Sequence, residues 1–205
     1  MLDIWYNAEA KRIACLPLKG KADLEHPVFG VGNPANPYIM FIGEAPGKDE
    51  AACGMPFVGK AGKQLDEMLA LARIDRKEVF VTNAVKYRPF REKNGRLSNR
   101  TPSADEIMDG LELLHKEVSL VAPTVIATLG NTPLTAVTQL ARGFVKTPAI
   151  GEAHGKPFSL YIDGFERTVF PLYHPAACIY NRELRPVLEE DLIRLGDHVR
   201  ELRTR

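Results

Sequence analysis

The stretch FIGEAPGKDEAACGMPFVGKAG, residues 41–62, decides how this chain is read. Five glycines, two prolines and two phenylalanines fall within its 22 residues, which begin in the second half of the apolar run YIMFIG (38–43). The helical pattern AGKQLDEMLALARI (61–74) follows, with Leu65, Met68, Leu69 and Ala72 at the spacing of one helix face. A β-rich run, a glycine–proline turn and an amphipathic helix make the first half of a βαβ unit. Three further apolar runs repeat the theme: VFVTN (79–83), TVIATLG (124–130) and TVFPLYHP (168–175). Helical patterns separate and follow them. TPSADEIMDGLELLHKEVSLVAP (101–123) carries a cap signal at Ser103 and is bracketed by Pro102 and Pro123. NTPLTAVTQLAR (131–142) follows the third run, and LEEDLIRLGDHVREL (188–202) lies near the C-terminus. Strands alternating with helices predict parallel pairing and a layered α/β sandwich.

The bulk numbers bound the class. At 205 residues, 45% hydrophobic and 26% charged, the chain suits one domain with a single core, 1–205, in which residues 1–30 form a less patterned helix and arm. A net charge of +1 says nothing about nucleic acid, so any such site must come from clustered charge. No apolar run approaches the roughly 18 residues of a membrane span. The opening MLDIWYNAEAKRIACL is too polar for a secretory signal, so a cytoplasmic protein is expected. Cys15, Cys53 and Cys178 are widely spaced and form no CxxC pair, which argues against a disulfide framework and gives a metal site weak support.

Open α/β sheets bind ligands beyond the carboxyl ends of their strands. Here those ends are GEAPG, TNAVKYRP, LGNTP and YHPAA. A glycine–proline turn leaves backbone N–H groups free to face a ligand. GMPFVGK (54–60) approaches a phosphate loop but is followed by Ala61 and does not directly follow a strand, which excludes a nucleoside triphosphate site. Phe57 can stack on a flat ring, or simply pack. Asn83 can accept and donate at a base edge, or close a turn. His174 ends a strand, where it serves either structure or chemistry. Each structural reading is ordinary alone; all three together, at one crevice, are less so. The segment KYRPFREKNGRLSNR (86–100) sets Lys86, Arg88, Arg91, Lys93, Arg96 and Arg100 against the single acid Glu92, with Tyr87 and Phe90 between them. Such a loop beside a base-sized pocket suits a phosphate backbone.

These motifs, with VFGVGNP (28–34) before the first strand, stand in the order seen in the uracil-DNA glycosylases, and the chain resembles that superfamily, its family-four branch most closely, over residues 28–181. The resemblance implies a three-layer αβα sandwich around a four-stranded parallel sheet. It implies hydrolysis of the bond between uracil and deoxyribose, the start of base excision repair. Gly43, Ala45 and Gly47 would line the base pocket, Phe57 would stack on uracil and Asn83 would bind its edge. His174 would stabilise charge developing at the uracil O2, and Glu44 is the nearest carboxylate to hold the attacking water. A base leaves the duplex stack at a cost of a few kcal/mol, which Phe57 and Asn83 would offset. One hydrogen-bond donor at the developing anion is worth roughly 3 kcal/mol. Lys60, Lys86, Arg88, Arg91, Arg96 and Arg100 would bind DNA, as would Ala176, Ala177, Cys178 and Ile179, with Cys178 or Ile179 wedging into the gap left by the base.

The resemblance also implies a four-iron four-sulfur cluster on four cysteines: a CxxC near the N-terminus, one in KCRP and one in the following helix. Here Cys15 matches one of the first pair, Arg12 stands in its partner's place, Tyr87 replaces the third, and residues 106–119 contain no cysteine. One ligand of four cannot hold a cluster. The expectation is no cofactor, with Tyr87 filling the cluster's place and packing holding the arm. The expected partner is DNA bearing uracil or another deaminated base, bound by a monomer. Two alternatives stay open: specificity for hypoxanthine or xanthine, and a damage-binding protein of the same fold without activity. A third, an unrelated α/β enzyme acting on a small nucleotide, would leave the basic segment idle.

Overall fold

The computed structural model describes residues 2–18, 22–141 and 145–204; residues 1 and 19–21 of the expected N-terminal helix and arm lie outside the described residues. In chain order the elements are α1 (Leu2–Ala14), β1 (Ala22–Asp23), β2 (Val31–Gly32), β3 (Ile39–Gly43), α2 (Lys48–Cys53), α3 (Lys60–Leu71), β4 (Phe80–Asn83), β5 (Arg88–Lys93), β6 (Arg96–Asn99), α4 (Ala104–Val121), β7 (Val125–Leu129), α5 (Asn131–Leu140), α6 (Ile150–Ala153), β8 (Phe158–Ile162), β9 (Phe165–Leu172), α7 (Ala177–Tyr180) and α8 (Leu184–Arg203). A 3₁₀ turn, Arg76–Glu78, is capped by the Asp75 side chain and leads into β4.

The main sheet runs β2-β4-β3-β7-β9-β8. Its four inner strands are parallel. The expected four-stranded parallel sheet is therefore the centre of a six-stranded one, because β2 and β8 add antiparallel edges. Neither edge strand is a long apolar run: β2 has only two residues, and β8 alternates partly exposed and buried positions. The four inner strands read clearly because they are buried on both faces, as parallel strands covered by helices must be.

The strand period of two sorts the core into two layers. Ile39, Phe41, Val81, Val125, Ala127, Leu129, Phe170 and Leu172 face Leu65, Met68 and Leu69 of α3 and Leu188, Leu192 and Leu195 of α8. Met40, Ile42, Phe80, Ile126 and Val169 face Leu114, Val118 and Val121 of α4 and Leu134 and Val137 of α5. A smaller cluster of Ile13, Val85, Tyr87 and Leu113 joins α1 to α4 and to the segment after β4.

Residues 86–100, expected as a basic loop, are not a loop. β5 and β6 form a hairpin whose Asn94-Gly95 tip has φ of 51° and 72°, the doubly left-handed backbone of a tight hairpin turn. β1 pairs with β5 and completes a second, three-stranded sheet. β3 lies between β4 and β7: the chain steps from β3 to β4 on one side and then crosses to β7 on the other, so the strand order reverses at the carboxyl end of β3. That end is the expected ligand crevice.

Candidate active site

Gly43 and Asn83 are register partners at the ends of β3 and β4. A Cβ on Gly43 would lie 2.4 Å from Asn83 Oδ1 and 2.5 Å from Phe57 Cζ. The amide and the aromatic ring therefore converge over the one residue that has no side chain to separate them. Phe57 reaches this position at φ 57°, a left-handed conformation that non-glycine residues rarely adopt. Its carbonyl oxygen presses on α3 where a Cβ at Gly62 would lie 1.9 Å away. The loop thus needs glycine at 62 to seat phenylalanine at 57, and a strained backbone held by its surroundings is common at functional sites.

Glu50 fastens both ends of the same loop. Its Oε2 accepts from Gly47 N at 3.0 Å and its Oε1 from Gly59 N at 2.8 Å. The sequence reading does not single out Glu50, although its place three residues beyond the helix-capping Gly47 is a capping pattern.

His174 stands two residues beyond β9, its ring centroid 6.3 Å from that of Phe57. Burial pushes its pKa down to about 4, against a weaker upward pull from Glu50, so the imidazole is neutral near pH 7. Ala176 N donates to His174 Nδ1 at 3.1 Å. With Nδ1 accepting, the ring proton sits on Nε2, and a neutral histidine becomes a fixed donor. Gly130, at φ 100°, leaves room for it: a Cβ there would touch the His174 Cβ at 3.4 Å.

Glu44 is half-buried, and Thr132 Oγ1 donates to its Oε2 at 2.7 Å. Burial raises its pKa above the usual carboxylate value, while hydrogen bonds from the Thr132 and Thr101 hydroxyls oppose the rise. Two glutamates thus frame the loop: Glu50 spends both oxygens on its backbone, while Glu44 is held by the Thr132 and Thr101 hydroxyls.

The expected DNA-binding residues divide. Lys60, Arg91 and Arg96 are exposed, as is Lys93. Lys86 is not a surface cation: it is 1% exposed and paired with Glu117. Arg88 is also buried, its Nε donating to Asn99 Oδ1 at 2.7 Å, which ties the hairpin root together. Arg100 donates from both terminal nitrogens to Glu106, at 2.7 and 2.8 Å, and reinforces the start of α4 instead of projecting outward. Ala176 and Ala177 are partly exposed. Cys178 is 5% exposed and packs in the core, so it cannot serve as a wedge; Ile179 is 45% exposed and the neighbouring Tyr180, which the sequence reading does not single out, 90%. An aromatic next to Ile179 is the available signal.

The residues present do not fit an iron–sulfur cluster. Arg12 donates to Asp109 at 2.8 Å and to Glu9 at 2.6 Å, and Tyr87 is packed in the core. Cys15 and Cys53 are exposed, on different elements from buried Cys178. Among the described residues no group of three or more histidine, cysteine or acidic side chains is disposed to hold a metal ion.

An open α/β sheet that gathers an amide and a ring over Gly43 at its switch point, with a histidine beside the ring, has its candidate site where proteins of this class bind ligands. The chain belongs to the uracil DNA glycosylase superfamily, whose family profile matches residues 29–194. It is 41% identical over 165 residues to the Type-4 uracil-DNA glycosylase of Saccharolobus solfataricus, covering 80% of this chain and 72% of that protein. Type-4 uracil-DNA glycosylases of Archaeoglobus fulgidus and Thermotoga maritima are each 36% identical, over 83% and 80% of this chain and 80% and 79% of theirs.

Proposed function

We propose that this chain is a monofunctional uracil-DNA glycosylase that acts without a cluster. DNA lies across the exposed cations of the β5–β6 hairpin and Lys60, and the target uracil turns out of the stack into the crevice over Gly43. Phe57 covers its face and Asn83 pairs with its edge. The bond between N1 and the sugar C1′ breaks with its electron pair passing to uracil. His174 Nε2–H donates to O2 as that charge develops. Glu44 holds the water that adds to C1′; the proton lost there is balanced by protonation of the departing anion, leaving uracil and an abasic site.

The observation that carries this reading is His174 beside Phe57 with its Nδ1 taken by the Ala176 N–H, which leaves Nε2 as the ring donor. A protonated histidine would also attract negative charge, but this one is already aimed and needs no proton from solvent. The test is base release from oligonucleotides holding one uracil, hypoxanthine or xanthine, single-stranded and duplex, with iron-free protein. Release of uracil is expected. Release of another base alone would keep the reaction and overturn the base assignment, and binding without release would overturn the reaction.

A further inference from the structure

Lys86 is a cation that the DNA-facing role leaves over. Its ammonium has three protons and three acceptors: Thr82 Oγ1 at 2.7 Å, the Asn83 carbonyl at 2.5 Å and Glu117 Oε2 at 2.7 Å. Glu117 is itself saturated. Its Oε2 also takes the Thr82 hydroxyl at 2.9 Å, while its Oε1 takes the Tyr6 hydroxyl at 2.8 Å and Gly30 N at 3.2 Å. The side chains of Lys86 and Glu117 are 1% and 0% exposed.

A buried ion pair of this kind is weak evidence for stability, because apolar residues of similar volume often serve as well. What the pair supplies here is position. After Asn83 the chain leaves the sheet in a turn, with Ala84 N bonded to Gly43 O at 2.8 Å and Val85 N to Glu44 O at 3.1 Å. Lys86 closes that turn by reaching back to Thr82 and Asn83. The Asn83 side chain lies against Gly43, so closely that even a methyl group there would collide with its Oδ1.

We infer that Lys86 is a positioning residue for base reading: locked to Glu117, it fixes the Asn83 backbone and so aims the Asn83 amide over Gly43. The inference rests on the proposed uracil pocket. Tyr6 and Gly30 extend the lock to α1 and to the segment before β2, so the aim of Asn83 is braced from outside the pocket.

The test pairs Lys86→Met with Glu117→Gln, which removes both charges together and leaves no uncompensated ion. Free-uracil affinity, single-turnover excision, affinity for undamaged duplex and Tm are measured on the double variant and on wild type. The expected result is uracil affinity and excision each lower by about tenfold or more, the scale of loss that small misplacements produce, with duplex affinity and Tm close to wild type. Should the double variant not fold, Thr82→Val, which deletes only the bridging hydroxyl, is expected to weaken uracil affinity by a few-fold at unchanged duplex affinity. Wild-type uracil affinity in a folded double variant, or in Thr82→Val if the double variant does not fold, overturns the inference. If wild-type protein neither binds nor releases uracil, the pocket assignment itself falls, a different outcome from wild-type activity that the variants leave unchanged.

Discussion

At the scale of single residues, two side chains divide the work of charge. His174 has its pKa near 4, so no ionisation of the pocket histidine occurs around 6.5, the value of a free imidazole. His174→Ala is expected to reduce single-turnover excision by about a hundredfold or more, the range for loss of one oriented donor. Glu44 moves the opposite way: burial raises its pKa, so its carboxylate takes up a proton at a higher pH than an ordinary glutamate. If the ionised carboxylate holds the water, the rate falls with decreasing pH through that raised value. Rate–pH profiles of wild type and Glu44→Gln check this. The variant should lose that acidic limb and run at a lower plateau; a step that persists in the variant would remove Glu44 from the role. Both arrangements depend on burial, which no local pattern in the sequence reports.

At the scale of elements, the β5–β6 hairpin is the proposed DNA arm. Its root meets the pocket loop: the Asn99 Nδ2 that completes the amide held by Arg88 would lie 3.1 Å from a Cβ on Gly47. Arg91, Lys93 and Arg96 are exposed along it. Each phosphate that the protein no longer neutralises makes the dependence of log affinity on log salt shallower by about 0.9. Replacing all three with alanine should therefore flatten the slope for undamaged duplex by up to about 2.7, measured by titration at several salt concentrations. An unchanged slope would mean that DNA passes elsewhere. The signal for this element is present in the sequence, although 86–100 is read there as a loop. Asn94-Gly95 and Asp163-Gly164 both have the two left-handed residues of tight hairpin turns, and either pair, flanked by alternating residues, announces a hairpin. The four parallel strands are legible because they are continuous apolar runs, Phe57 because glycine and proline crowd the segment around it, and Asn83 and His174 because they stand at or just beyond strand ends. Lys86 misleads for a physical reason. A lysine in a basic run reads as surface, and its burial is decided by Glu117, which is 31 residues away on α4. No local pattern reports such a partner.

At the scale of the whole molecule, the proposed absence of a cluster asks what else holds α1 and the hairpin to the sheet. Ile13, Val85, Tyr87 and Leu113 form an apolar plug between α1 and α4. Arg12 bridges Glu9 on its own helix to Asp109 on α4, and Tyr6 stacks on Phe29 with ring centroids 4.5 Å apart while bonding Glu117. Tyr87 fills the centre with its hydroxyl lacking a hydrogen-bond partner among the described residues, and burial together with Asp109 and Glu106 drives its pKa upward, so it remains a neutral filler. Packing and the Arg12 ion pairs thus occupy the region where the resemblance implies a cluster. Protein purified without oxygen should then contain no stoichiometric iron or sulfide, and chelators or mild oxidants should leave its excision rate unchanged. Arg12→Ala should destabilise the fold by about 1 kcal/mol, the upper range for a partly exposed ion pair, seen as a fall in Tm of about 2–4 °C for a chain of this size. Iron near four atoms per chain would overturn the cluster-free reading whatever the stability. If iron is absent but Arg12→Ala leaves Tm unchanged, the apolar plug alone holds α1, and the ion pairing is incidental to the replacement. The two measurements separate the absence of a cluster from the means by which packing stands in for it.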